Sequence, residues 1–264
     1  MLEASLALLF GLLIGSFLNV CIYRLPQDLS VVRPRSYCVA CQHPIAWYDN
    51  VPVLSYVLLR GKCRYCRAAI SMRYPVVELL TGVLFFVYVW RLGATPLGLK
   101  FCLYGALLVG LTFSDLEARI LPDEFTLGGA AAGLLLAWFV PLKGDMTQDL
   151  LSMVGSRWNR HWTSVAAALI GAAVPGFCLW LVGWLYLKLR HREGLGLGDV
   201  KLVAMVGAFM GLQGALLTLI VGSLAGSLIG FAYIRITHKD AATYELPFGT
   251  FLGAAAIAVS VLGL

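Results

Sequence analysis

The chain has 264 residues, of which 60% are hydrophobic and 13% charged, and it carries a formal net charge of +6. Soluble domains run near half apolar and about a quarter charged, so the composition excludes a soluble core; it equally excludes a disordered chain, which needs low hydrophobicity. A mean hydropathy of +0.83 agrees with a polytopic membrane protein. A spanning helix needs about 20 mostly apolar residues. In chain order the candidate spans are 4–22, 75–91, 97–114, 121–140, 164–187, 199–211, 214–235 and 248–264, the sixth being short. Glu3 stands where a secretory signal carries basic residues, and Arg24 follows the apolar run, so the first span is expected to stay as an anchor.

Charge sets the expected orientation. With the N-terminus outside, the inner loops carry Arg24, Arg33, Arg35, Arg60, Lys62, Arg64, Arg67, Arg73, Arg119, Lys188, Arg190, Arg192, Lys201, Arg235 and Lys239. The outer loops carry Arg91, Lys143, Arg157 and Arg160, and Lys100 falls inside a span. This is a strong positive-inside bias. The positive surplus on the inner face can attract anionic membrane lipids and calls for no nucleic-acid partner.

The expected organisation is a first transmembrane helix at 1–22, a cytoplasmic zinc-binding loop domain at 23–74, and a seven-helix transmembrane domain at 75–264. The outer loop at 141–163 holds Trp158 and Trp162, residues that favour the membrane interface. Gly222, Gly226 and Gly230 share one helix face, which reads as a packing stripe, with a substrate groove as the alternative.

Cys38-x-x-Cys41 and Cys63-x-x-Cys66 have the spacing of two knuckles around one tetrahedral Zn2+; a redox or metal-free pair is the alternative. With four thiolates the site would have no open position, so it reads as structural. In a loop too short to bury much core, the metal would supply folding energy. His43 could compete as a ligand. Cys21, Cys102 and Cys178 lie in or beside spans and read as small apolar residues.

Ionisable groups inside spans are costly and point to function. Asp115 ends an apolar run, and Asp199 opens another after Gly196 and Gly198. Both are expected at the cytoplasmic ends of their helices. Two carboxyl groups from distant segments at one depth can act as a general base and a general acid on an amide. A neighbouring glycine pair lets a peptide backbone approach closely. The plainer reading of Asp199 is an N-cap, and that of Asp115 a solvated loop acid.

Together these residues resemble the bacterial type IV prepilin peptidases. The likeness runs through GSFLNVCIYRLP at 15–26, the cysteine quartet, NVPVLSYVLLRGKCRYC at 50–66 and RYPVVELLTG at 73–82. It continues through Asp115 with ILPD at 120–123, Gly196-Leu197-Gly198-Asp199 with Val200-Lys201, and LPFGTFLG at 246–253. The resemblance implies a Gly-x-Gly-Asp intramembrane aspartyl protease with Asp115 and Asp199 as its catalytic pair. Its substrates would be prepilins or pseudopilins, cut after a Gly on the cytoplasmic side of the bacterial inner membrane. It further implies N-methylation of the new terminus with S-adenosylmethionine, for which Glu78 is the candidate cofactor-binding residue. Pro247, Phe248 and Gly249 would border the substrate with Gly196 and Gly198. Two departures are small: Arg67-Ala68-Ala69 follows Cys66 where Gly is frequent, and the loop at 141–163 is extended. Two other classes compete. A transporter would need carboxylates nearer mid-bilayer, and a non-catalytic zinc scaffold would depend on the cysteines and not on the acids.

Overall fold

The computed structural model describes residues 1–142, 146–147, 159–191, 194–237 and 246–263. Lys143, Arg157, Trp158, Arg192 and Lys239 lie outside the described residues. The long helices are α1 (Leu2–Arg24), α3 (Arg73–Leu92), α4 (Pro96–Ala118), α5 (Asp123–Phe139), α6 (Arg160–Arg190), α7 (Leu197–Thr237) and α8 (Phe248–Leu262); α2 (Leu54–Leu58) is a short helix between α1 and α3. Among the described residues there is no β-sheet, only two isolated bridges.

Among the described residues, five helices are long and apolar enough to cross a membrane: α1 with its following turn, α3, α4, α6 and α7. The eight expected spans are corrected accordingly. The sixth and seventh both lie in α7, a 41-residue run of two helices joined at Gly211, whose backbone is not helical, so the expected division between 211 and 214 is met there. The fourth and eighth become α5, with 17 residues, and α8, with 15. At 1.5 Å per residue α8 is about 22 Å long, short of a hydrocarbon layer of about 30 Å.

The surface has the inverted character that lipid demands. Leu2, Leu6, Leu9, Phe10, Leu13 and Phe17 of α1 are exposed, whereas Gly11, Gly15 and Asn19 are buried. In lipid there is no gain from hiding Leu; helices associate through small residues and satisfied polar groups.

The chain divides into two compact units, Met1–Phe113 and Ser114–Leu264. In the first, α1 packs on α3 at near-backbone contact. A Cβ on Gly15 would stand 2.6 Å from Glu78 Cα, and one on Gly11 2.8 Å from Gly82 Cα. Asn19 Nδ2 donates to the Tyr74 carbonyl at 3.0 Å, and the Arg24 guanidinium donates to the Ser30 carbonyl at 2.9 Å. These bonds fix the base of the loop that leads to the cysteines.

In the second unit, α7 is broken at Gly211, whose φ of 75° is open to glycine alone at little cost. The break lies where α6 crosses: a Cβ on Gly171 would stand 2.6 Å from the Gly211 carbonyl carbon, and one on Gly207 would collide with the Gly171 carbonyl. Beyond it, Gly222, Gly226 and Gly230 face Leu252, Phe251 and Leu246 respectively. The glycine stripe is therefore the seat of α8 and its entry, the packing role its spacing suggests.

Candidate active site and metal centre

Asp115 lies in the last turns of α4. The chain then reverses through Arg119, whose φ is 57°, and Ile120-Leu121-Pro122 leads into α5. Proline is suited to a helix entrance because the missing N–H has no helical partner there. Asp199 is the third residue of α7, and its N–H donates to the Gly196 carbonyl at 3.2 Å. Both acids are buried, Asp115 with 6% and Asp199 with 8% of its surface exposed. They come within electrostatic reach of one another.

Leu121 is the wedge that gathers the surrounding segments. A Cβ on Gly198 would stand 3.1 Å from Leu121 Cδ1, and one on Gly249 would stand 2.9 Å from the same atom and 3.0 Å from Asp115 Cγ. Thus the reversal after α4, the Gly-x-Gly turn before α7 and the start of α8 meet at one place. Thr250 closes it: its N–H and hydroxyl donate to Asp115 Oδ2 at 2.6 and 2.8 Å. An ion pair between Lys201 and Asp123, 2.7 Å long, ties the start of α7 to the start of α5. Gly196 is exposed, while Gly198, Pro247 and Phe248 are half-buried.

All the glycine and aspartate positions anticipated for the site are therefore brought together with the Pro247–Gly249 segment. Thr250, Leu121 and the Lys201–Asp123 pair were not anticipated. Thr250 follows the LPFG segment directly, but nothing in the local pattern of one strand of sequence marks which helix it serves.

The four cysteines form a second constellation, in the first unit. Their sulfur atoms all lie within 4.8 Å of one another, and the Cys38 and Cys66 sulfurs are 3.8 Å apart. Tetrahedral sulfurs bound at about 2.3 Å are about 3.8 Å apart, so the donor set fits a Zn2+-sized ion.

The two halves are built alike. Gln42 N–H bonds the Cys38 carbonyl at 2.8 Å as Arg67 N–H bonds that of Cys63 at 3.1 Å. Cys38 N–H bonds the His43 carbonyl at 2.9 Å as Cys63 N–H bonds that of Ala68 at 2.8 Å. Gln42 and Arg67 share a positive φ, 59° and 58°. The second half is braced by Arg64, which binds both oxygens of Asp49 at 2.7 and 2.6 Å and holds the Asp49 carboxyl below its ordinary range.

The N–H groups of Cys66 and Tyr65 bring the Cys63 thiol down to about 7. At Cys66 the Ala68 N–H has the same tendency but is outweighed by burial and the crowded thiols, which push it up to about 11. Were all four deprotonated, sulfurs this close would need a cation among them. His43 packs against Tyr65, ring centroids 3.6 Å apart and the planes tilted by 42°, and is not part of the set.

Glu78 is buried in α3. Its Oε2 accepts the Val53 N–H at 2.7 Å. Val53 has φ 60° and ψ −48°, and the Leu54 N–H bonds the Pro52 carbonyl at 2.5 Å. This is a tight γ-turn of the strained hand, with a β-branched residue at its centre. Glu78 therefore anchors the loop at Val53, a residue held in a strained conformation.

Comparison with known proteins places these features in a family. The chain matches the bacterial peptidase A24 N-terminal domain over residues 9–92 and the type IV leader peptidase family over residues 102–231. It is 42% identical to a prepilin leader peptidase/N-methyltransferase of Myxococcus xanthus over 90% of this chain and 65% of that one. It is 34% identical to a protein of the same name from Pseudomonas putida, covering 95% of this chain and 88% of that one. With its Neisseria gonorrhoeae namesake it shares 35% identity over 88% and 82% of the two chains. The chain thus spans just under two thirds of the Myxococcus protein and most of the other two. No solved structure matches it significantly. With two profiles in tandem and relatives aligned along nearly its whole length, the chain belongs to the type IV leader peptidase family.

Proposed function

We propose that this chain is an intramembrane aspartyl endopeptidase that removes the basic leader of prepilins or pseudopilins, with Asp115 and Asp199 as the cleaving pair. The observation that carries this reading is the meeting of two buried acids from separate helices beside a Gly-x-Gly turn. One carboxylate takes a proton from an attacking water while the other, protonated, donates to the scissile carbonyl oxygen. The water oxygen bonds to the carbonyl carbon, the carbon–nitrogen bond breaks, and a proton passes to the leaving amine. Two like charges side by side do not both ionise easily, so the pair works as a unit sharing a proton.

The exposed Gly196 and the half-buried Gly198, Pro247 and Phe248 are reachable by an extended peptide, and Gly249 keeps the entrance of α8 close to Asp115. The cut falls after a Gly where the leader meets the apolar helix of the substrate. The active site faces the cytoplasm at the inner membrane, with the N-terminus outside. Support for this orientation comes from the basic residues that flank both acids, Arg119 and Lys201, and from the positive-inside bias.

Methylation of the new N-terminus follows from the relatives' name. S-adenosylmethionine would supply an electrophilic methyl group to that amine, with Glu78 as the candidate residue for the donor. Cys38, Cys41, Cys63 and Cys66 would hold Zn2+ in a closed, structural site.

The test is cleavage of a prepilin by the full chain in liposomes, read by mass. Asp115→Asn and Asp199→Asn should each lower the rate by about a hundred- to ten-thousandfold with the protein still folded. Wild-type cleavage by either variant would overturn the assignment.

A further inference from the structure

The first N–H groups of a helix have no partner within it, and the helix start carries partial positive charge. Such an end is ordinarily closed by a side-chain oxygen of the residue just before it. At α8 that residue is Pro247, and it makes no side-chain cap. The oxygen comes instead from Asp115, 135 positions earlier in the chain, whose Oδ2 accepts the N–H of Thr250, the third residue of α8, at 2.6 Å. The Thr250 hydroxyl donates to the same oxygen at 2.8 Å. One oxygen of Asp115 thus accepts from both the backbone and the side chain of Thr250. Gly249 permits the approach, since a Cβ there would stand 3.2 Å from the same Oδ2.

We infer that Thr250 is a positioning residue for peptide cleavage. Its N–H and hydroxyl hold the Asp115 carboxylate across the entrance of α8, so that Asp115 keeps one orientation toward Asp199 and the attacking water. The inference rests on the reading of Asp115 and Asp199 as the cleaving pair. The N–H belongs to the backbone and survives any substitution but proline. The hydroxyl is the part contributed by the side chain, and it is the part a variant can remove. A carboxylate held by one donor in place of two turns more freely. That lowers the fraction of bound substrate in reactive geometry, so it lowers kcat and leaves binding alone.

The experiment compares Thr250→Val, Thr250→Ser and Thr250→Ala with the wild type and Asp115→Asn, all as full-length protein in liposomes with a prepilin. Initial rates give kcat and KM, and thermal unfolding is followed in parallel. Thr250→Val should lose about tenfold or more in kcat with KM within about twofold. Thr250→Ala should behave alike, and Thr250→Ser should stay within about twofold of wild type in both. Wild-type kcat in Thr250→Val or Thr250→Ala would overturn the inference, as would a loss in Thr250→Ser equal to that in Thr250→Val. If Thr250→Val unfolds, the Ala and Ser pair decides. A loss confined to KM, or one matched by a fall in unfolding temperature in every variant, would make Thr250 a packing residue and refute the inference. Intact cleavage by Asp115→Asn would instead sink the underlying reading of the acids, whatever the Thr250 variants do.

Discussion

A β-branched residue is out of place at positive φ, and Val53 sits there at 60° with its N–H bonded to the Glu78 carboxylate. Strain of this kind amounts to about 1–3 kcal/mol and persists only where neighbours hold it. Replacing Val53 with Gly should relieve most of it, less about 0.5–1 kcal/mol for the added freedom of the unfolded chain. The expected outcome is a gain of about 1 kcal/mol in unfolding measurements on the detergent-solubilised protein. The same pair separates two roles for Glu78. As a hydrogen-bond acceptor alone it should tolerate Glu78→Gln, because the amide oxygen still accepts the Val53 N–H. As a contact to a methyl donor it should not. Unchanged unfolding with methylation lost in Glu78→Gln would assign the carboxylate to the donor site. Loss of stability together with methylation would assign it to the turn.

At the scale of helices, two crossings depend on glycines that meet backbone. Gly15 faces Glu78 Cα and Gly207 faces the Gly171 carbonyl, and backbone cannot step aside as a side-chain tip can. Gly15→Ala and Gly207→Ala should each destabilise by about 1–3 kcal/mol. Gly128 of α5, with nothing within 4 Å of its would-be Cβ, should gain up to about 1 kcal/mol from the helix preference of Ala. Unfolding in denaturant checks all three, and equal effects would refute the close-packing account. Much of this level is legible in sequence. Apolar runs place every long helix, because a run of that length has one stable form in lipid. Four-residue spacing marks the stripe at Gly222, Gly226 and Gly230. The break at Gly211 is legible as the gap between the apolar runs 199–211 and 214–235. Helix length is less legible, since α5 and α8 are shorter than the runs 121–140 and 248–264 that announce them. The partner of a glycine stripe is also invisible, since Gly11 and Gly15 have the right spacing but nothing local names α3 as their seat.

The whole molecule keeps its two constellations apart in sequence. Asp115, Asp199, Leu121, the Gly-x-Gly turn, Pro247, Phe248, Gly249 and Thr250 all belong to the unit Ser114–Leu264, and the four cysteines with Glu78 belong to Met1–Phe113. The cysteines were legible because tetrahedral ligation imposes a short, repeated spacing. The acids were legible because a carboxyl group at the end of an apolar run is costly enough to need a reason. Thr250 was not, since its bond to Asp115 bridges 135 residues and leaves no local pattern. This division makes a prediction for metal removal. The cysteine loop has little apolar interior, so if the proposed Zn2+ supplies its folding energy, stripping that ion should loosen the loop while the hydrogen bonds around Asp115 remain. Double replacement of Cys38 and Cys41 by Ser removes two of four ligands. Metal content should fall by at least about tenfold, the loop at 23–74 should become the first site of proteolytic nicking, and methylation should be lost. Leader cleavage should stay within about threefold of wild type, because the hydrogen bonds around Asp115 are made by residues of the unit Ser114–Leu264 itself. Cleavage and methylation lost together, with the second unit still folded, would mean that peptide hydrolysis needs the metal-bearing loop as well as the two acids.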